Sequence, residues 1–338
     1  MSSKILVIGD MHLKDHLSYS EYIDGGRQNE KDEILELMVN ESMDCDCVVF
    51  LGDFFNSKNN SSEVNRQAVE FLERFHSDIY IISGNHEKKG DGTTALDFLK
   101  EIKNKSWHIY TEIDSTILLG KEVCFLPNML NCELGVSNRD DAVDVILKKI
   151  GKGDILFAHH AISGTTFNGI KTDVLSEVVL PREVLEKNFK LVVGGHIHDP
   201  QEVDRTVIAG SSFTNQVGEV ERFIWKINDD LSVEKIELPC REIHKIENPT
   251  IESLSKIKKD SIVKAVLTKK GGMDIDDLKK ELSKFDAYLL IENYPSKRKK
   301  AHIEEGAFDF SIEALLELYA KEKKVDVKLL LKGLELIK

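Results

Sequence analysis

Five short apolar runs constrain this chain most, because each ends on residues that bind metals rather than on ordinary turn residues. They are Ile5–Asp10 (ILVIGD), Val48–Asp53 (VVFLGD), Ile79–His86 (IYIISGNH), Asp154–His160 (DILFAHH) and Leu191–His198 (LVVGGHIH). Continuous runs rich in β-branched residues read as strands buried on both faces, as in parallel sheets covered by helices. Helical patterns fall between them, near Asn29–Ser42, Ser62–Phe75, Thr94–Lys103, Arg139–Ile150 and Pro181–Asn188. In Ser62–Phe75 the residues Val64, Ala68, Phe71, Leu72 and Phe75 recur at helical spacing. Alternating strands and helices predict an α/β core. Trp107–Pro127 and Thr206–Leu238 are richer in strand patterns and predict a second sheet packed on the first.

At 338 residues the chain has room for two domains. A 41% hydrophobic and 31% charged composition with 6 Pro excludes a disordered or low-complexity protein. No apolar run approaches the roughly 20 residues of a membrane span. The opening MSSKILVIGDM lacks the apolar core of a signal peptide, so the expected location is the cytosol. Five cysteines without a CxxC pattern are expected to be reduced and mostly buried. Net charge is −13, which argues against a nonspecific coat on nucleic acid. The charge is uneven, however: residues 256–300 hold 13 basic and 7 acidic side chains, a net of +6, whereas 1–255 carry −17. Asn248-Pro249-Thr250 breaks the pattern and is the expected domain boundary. It separates 1–247 from a small β-α-β unit at 248–305. A segment at 306–338 follows, where Ser311 and Asp326 can each cap a short amphipathic helix.

The polar clusters at the ends of the runs are Asp10-x-His12, Asp53, Asn85-His86, His159-His160 and His196-x-His198. In open α/β sheets ligands bind outside the carboxyl ends of the strands, so five such ends can converge on one crevice. The i, i+2 spacing of DMH and HIH puts two side chains on the same side of an extended segment. Oxygen donors mixed with imidazole, without thiolate, suit Mn²⁺, Zn²⁺ or Fe²⁺. Two Asp, one Asn and several His exceed what one ion needs and suffice for two ions sharing a carboxylate. Two ions about 3.5–4 Å apart are the arrangement that clamps a phosphoryl group. Together they would bring more positive charge than Asp10 and Asp53 remove, so the crevice would welcome phosphate within an acidic domain.

The order D-x-H, G-D, G-N-H-[DE], H, G-H-x-H over residues 5–198 resembles the calcineurin-like metallophosphoesterase superfamily. The AGSSF segment and the strands after it resemble that superfamily's DNA-repair nuclease branch. The whole chain is similar to SbcD-type double-strand-break repair nuclease subunits, and its compact length most resembles the form found in T-even phage recombination. The resemblance implies a four-layer α-β-β-α sandwich with a small α+β capping domain and C-terminal helices. It implies one metal held by Asp10, His12, Asp53 and His198, and a second held by Asp53, Asn85, His159 and His196. His159 is preferred to His160 because the family's ligand follows its strand directly. His86 is implied to act at the scissile phosphate rather than on a metal. Two divalent ions are expected, Mn²⁺ first and Mg²⁺ as the alternative.

Within the superfamily, protein phosphatases carry arginines that grip a small phosphate. Here Ser83 stands where RGNHE has Arg, and GDFFNS has no Arg after Asp53, although GNHE keeps the phosphatase form at Glu87. The expected activity is therefore metal-dependent DNA exo- and endonuclease action on double-stranded ends and single strands. A phosphatase or small-molecule phosphodiesterase is the first alternative, and an inert scaffold of the same fold the second. Lys269, Lys270, Lys297, Arg298, Lys299 and Lys300 are candidate contacts to DNA backbone phosphates. With no Walker GxxxxGK[ST] present, ATP hydrolysis is expected from a partner. The resemblance implies that this partner is an SMC-like coiled-coil ATPase bound through Ser311–Lys338. It also implies a homodimer formed through the helices near Ser62–Phe75 and Thr94–Lys103. No membrane association is expected.

Overall fold

The computed structural model describes residues 3–89, 92–102, 104–167, 169–219, 221–268 and 273–292, within one compact unit spanning Met1–Asn293. Lys269, Lys270, Lys297, Arg298, Lys299, Lys300 and the segment Ser311–Lys338 lie outside the described residues.

The first sheet has the strand order Val233–Glu237, Phe223–Asn228, Lys4–Ile8, Cys47–Phe50, Asp78–Ile82, Trp107–Tyr110. Its last four strands are parallel, and the two at the opposite edge pair antiparallel. The second sheet runs Gln201–Val203, Thr206–Ile208, Phe189–Gly194, Gly153–Ala158, Lys121–Leu126, Asp114–Leu118. Its four inner strands are parallel and its edge strands antiparallel.

Successive side chains of a strand point to opposite faces, and this explains the unbroken apolar runs. Leu6 and Ile8 join Val48, Phe50, Ile79 and Ile81 in a core beneath the helices Gln28–Ser42 and Ser62–Leu72. Ile5 and Val7 point the other way, into a core shared with Phe125, Phe157, Val193 and Trp225 between the two sheets. A third core joins Leu156, Ala158 and Val192 of the second sheet to Ala142, Ile146 and Leu185 of the helices Arg139–Ile150 and Arg182–Asn188. The layers are thus helix, sheet, sheet, helix. Removing a central side chain such as Leu6, fully buried, to alanine should cost about 2–5 kcal/mol.

Helix ends follow local chemistry. Ser61 accepts from the Val64 amide and caps Ser62–Leu72, while Asn138 accepts from the Asp141 amide and caps Arg139–Ile150. The helix expected over 94–103 is shorter, Asp97–Glu101. Thr94 is held outside it, donating its amide to Asp97 and accepting from the Leu96 amide.

A small parallel sheet of Ile243–Glu247, Ile262–Leu267 and Ala287–Glu292 carries the helix Ile275–Leu282, whose Leu278 and Leu282 are buried. The Asn248-Pro249-Thr250 break falls between two paired strands of this sheet, so the sheet begins ahead of it, at Ile243. Among the described residues no helix is long and apolar enough to cross a membrane. Cys45, Cys47 and Cys124 are buried, Cys240 is intermediate and Cys132 is exposed, all as free thiols.

Candidate metal centre

Five parallel strands, three from one sheet and two from the other, deliver the polar clusters to a common edge. Lys4–Ile8 leads to Asp10 and His12, Cys47–Phe50 to Asp53, and Asp78–Ile82 to Asn85 and His86. Gly153–Ala158 leads to His159, and Phe189–Gly194 to His196 and His198. His12, Asp53 and His196 adopt positive φ, at 48°, 43° and 76°. Such left-handed backbone costs about 1–3 kcal/mol per residue and gathers at functional sites. Two glycines permit the crowding. A Cβ on Gly84 would lie 2.0 Å from Asp53 Oδ1, and one on Gly52 (φ +93°) would lie 2.4 Å from His159 Nδ1.

The donor atoms form one connected cluster. Ligand-type atoms of Asp10, His12 and His198 all lie within 4.8 Å of one another, as do those of Asp10, Asp53 and His159, and those of His12, Asp53 and His86. His12 Nε2 lies 2.9 Å from His198 Nε2 and 3.9 Å from Asp53 Oδ2. His159 Nε2 lies 3.4 Å from Asp53 Oδ2 and 3.1 Å from Asn85 Oδ1. Asn85 Oδ1 also lies 2.9 Å from His196 Nδ1. The Asp10 carboxylate accepts the His196 amide with both oxygens at 3.0 Å. All seven residues expected to hold metals therefore meet. Of the adjacent pair, His159 faces the cluster, while His160 turns away and accepts from the Met129 amide at 3.2 Å.

The imidazoles are oriented from behind. His159 Nδ1 donates to Leu51 O at 2.6 Å, leaving the Nε2 lone pair directed at Asp53 and Asn85. His198 Nδ1 donates to Glu219 Oε1 at 3.1 Å, which leaves Nε2 toward His12. His196 Nε2 donates to Glu177 Oε2 at 2.8 Å, which leaves Nδ1 toward Asn85. Acceptors on the far nitrogen are how proteins fix the tautomer of a metal-binding histidine. Sequence patterning does not single out Glu177 or Glu219. Both lie outside the strand-end clusters, and only the carboxylates of Glu219 and Glu221 in the GEVER stretch hint at a polar task there.

Electrostatics favour cations in this space. Asp10 and Asp53 are almost fully buried, and among the described residues neither pairs with a lysine or arginine. Burial and the neighbouring Asp53 charge push the Asp10 carboxyl well above the usual range. Burial would raise Asp53 too, but the adjacent His159 outweighs it and holds Asp53 below the usual range. Burial lowers His12 to about 3, so it stays neutral and able to ligate. Two buried carboxylates, an amide oxygen and imidazoles whose second nitrogens converge fit divalent cations and could hold two.

His86 differs from the others. Its side chain is 44% exposed, its ring sits 4.6 Å from that of His12, and its Nε2 lies 4.0 Å from Asp53 Oδ2. Its Nδ1 donates to Asn56 O at 3.1 Å, and its amide donates to Asp53 Oδ1 at 2.9 Å. It stands at the mouth of the cluster. Glu87 is buried below it and accepts from the Phe55 and Gly84 amides, which ties the Asp53 and Asn85 loops together.

Residues 3–200 match the family model of the calcineurin-like phosphoesterases. The chain belongs to that family. Its members are metal-dependent ester hydrolases, and the Asp and His cluster sits within the matched region. No curated protein sequence matches the chain. One solved crystal structure is 11% identical, covering 70% of this phosphoesterase and all of its own chain at a TM-score of 0.43. A hypothetical protein from Thermus thermophilus is 12% identical with the same coverage at a TM-score of 0.36. Neither likeness is strong enough to inform the fold or the function.

Proposed function

We propose that this phosphoesterase is a two-metal DNA nuclease that hydrolyses phosphodiesters at double-stranded ends and in single strands. The observation that carries the hydrolytic part is the set of converging lone pairs on His159, His196 and His198 around Asp10, Asp53 and Asn85. In this reading Asp10, His12, Asp53 and His198 would hold one ion, and Asp53, Asn85, His159 and His196 would hold the other. Two divalent ions, Mn²⁺ by preference, would neutralise the phosphate and supply a nucleophile at neutral pH. His86, entered as the imidazolium, would give its Nε2 proton to the leaving oxygen and end as the neutral ring whose Nδ1–H still donates to Asn56 O. Glu177 and Glu219 keep His196 and His198 in the ligating tautomer.

The nuclease part rests on the motif forms and on charge. Ser83 replaces the arginine of the phosphatase motif, and the +6 stretch at 256–300 suits a polymer of phosphates. A homodimer and a coiled-coil ATPase partner at Ser311–Lys338 belong to the same proposal. The apolar residues of Ser62–Leu72 are buried in the protein's own core, so dimerisation there would use its polar face, which carries Glu63, Arg66 and Glu70. The test is hydrolysis of linear duplex DNA beside bis-p-nitrophenyl phosphate and p-nitrophenyl phosphate in Mn²⁺. Cleavage of DNA and the diester is expected. Turnover of the monoester alone would favour a phosphatase.

A further inference from the structure

A cavity of about 500 Å³ opens beside the metal centre. Its lining includes Asn85 and His196, which belong to the centre, together with Asn128, Asn131, Arg139 and Glu177. We propose that this cavity is a nucleoside subsite, holding the sugar and base attached to the phosphate bound at the centre. The proposal rests on the hydrolase reading above and names the part of the substrate that reading leaves unplaced.

Size and chemistry both point this way. A bare phosphate needs no such volume, whereas sites for nucleotide-sized molecules run about 300–1,000 Å³. Asn131, and the Asn128 amide beyond its Nδ2 bond to His159 O at 3.4 Å, offer donors and acceptors of the kind that meet base edges and sugar hydroxyls. Leu130 and Val178, both partly exposed, add an apolar surface for a ring. Arg139 donates to Leu175 O at 3.1 Å and forms no ion pair among the described residues, so further guanidinium N–H groups remain for a carbonyl edge or an adjoining phosphate.

The wall is also built to stay in place. The Asn128 amide donates to Ser83 O at 2.8 Å, next to Asn85, and the Met129 amide donates to His160 at 3.2 Å. The Leu130 amide donates to Glu133 at 2.7 Å, and Glu133 is gripped by Lys88 at 2.8 and 2.7 Å. Lys88 is 3% exposed and follows the loop that carries Asn85 and His86. The wall is therefore tied to the same loops that place the donor atoms. A subsite that must set a base against a scissile phosphate needs that rigidity.

Cys132 makes this testable, because it lines the cavity and is the one exposed cysteine of five. The rate of its alkylation by N-ethylmaleimide, read by peptide mass spectrometry in Mn²⁺, should fall at least fivefold with saturating dTMP and less than twofold with inorganic phosphate. No slowing by dTMP, or equal slowing by both, overturns the subsite. As a second measurement, Arg139→Ala should lower about tenfold the ratio of kcat/KM for thymidine 5′-p-nitrophenyl phosphate over bis-p-nitrophenyl phosphate. An unchanged ratio also counts against it. If the wild type hydrolyses neither ester while dTMP still protects Cys132, the hydrolase reading fails and the subsite stands.

Discussion

At the residue scale, the donor atoms divide by exposure. Of those expected to ligate, Asp10, His12, Asp53 and His159 are buried and Asn85, His196 and His198 partly so, while His86 is 44% exposed at the mouth. His86→Ala should therefore keep both metals by elemental analysis and lower kcat on DNA by about 10²–10⁴. Full activity in that variant would remove His86 from the chemistry. The strand-end donors are legible in the sequence because each follows an apolar run directly, with glycines that leave room for them. Glu177 and Glu219 are not legible. Their task, holding the far nitrogens of His196 and His198, comes from chain segments with no fixed spacing to those histidines.

At the element scale, the strands read well because burial on both faces leaves an unbroken apolar run, and Arg139–Ile150 emerges with the bounds expected. What escapes are pieces too short to show periodicity, such as the two-residue strands Ala161–Ile162 and Val179–Leu180, which pair with each other. The small sheet starts at Ile243 because strand pairing does not stop at a Pro-containing turn. The link between Lys88 and the helix Asn131–Leu134 is equally invisible, since it joins loops of different sheets. Lys88→Met leaves Glu133 without its cation and should lower unfolding free energy by about 3–5 kcal/mol. Denaturant titration measures this, and pairing the variant with Glu133→Leu should restore much of the loss. An unchanged midpoint for Lys88→Met would mean the ion pair contributes nothing net.

At the scale of the whole molecule, the sequence divides its charge between an acidic bulk and a basic stretch at 256–300, and the proposed nuclease would use the second to hold DNA phosphates. Neutralising Lys297, Arg298, Lys299 and Lys300 should reduce the slope of log Kd for duplex DNA against log salt by about one for each DNA phosphate left without its cation. An unchanged slope would make that cluster a solvated surface. Everything else rests on the crevice, and metal content tests it most directly. Elemental analysis of the purified, Mn²⁺-equilibrated protein should give two ions per chain, and Asp53→Ala, lacking the shared carboxylate, should retain neither at the same free metal concentration. Two ions retained by a folded Asp53→Ala protein, or none bound by the wild type, would contradict a shared two-metal centre.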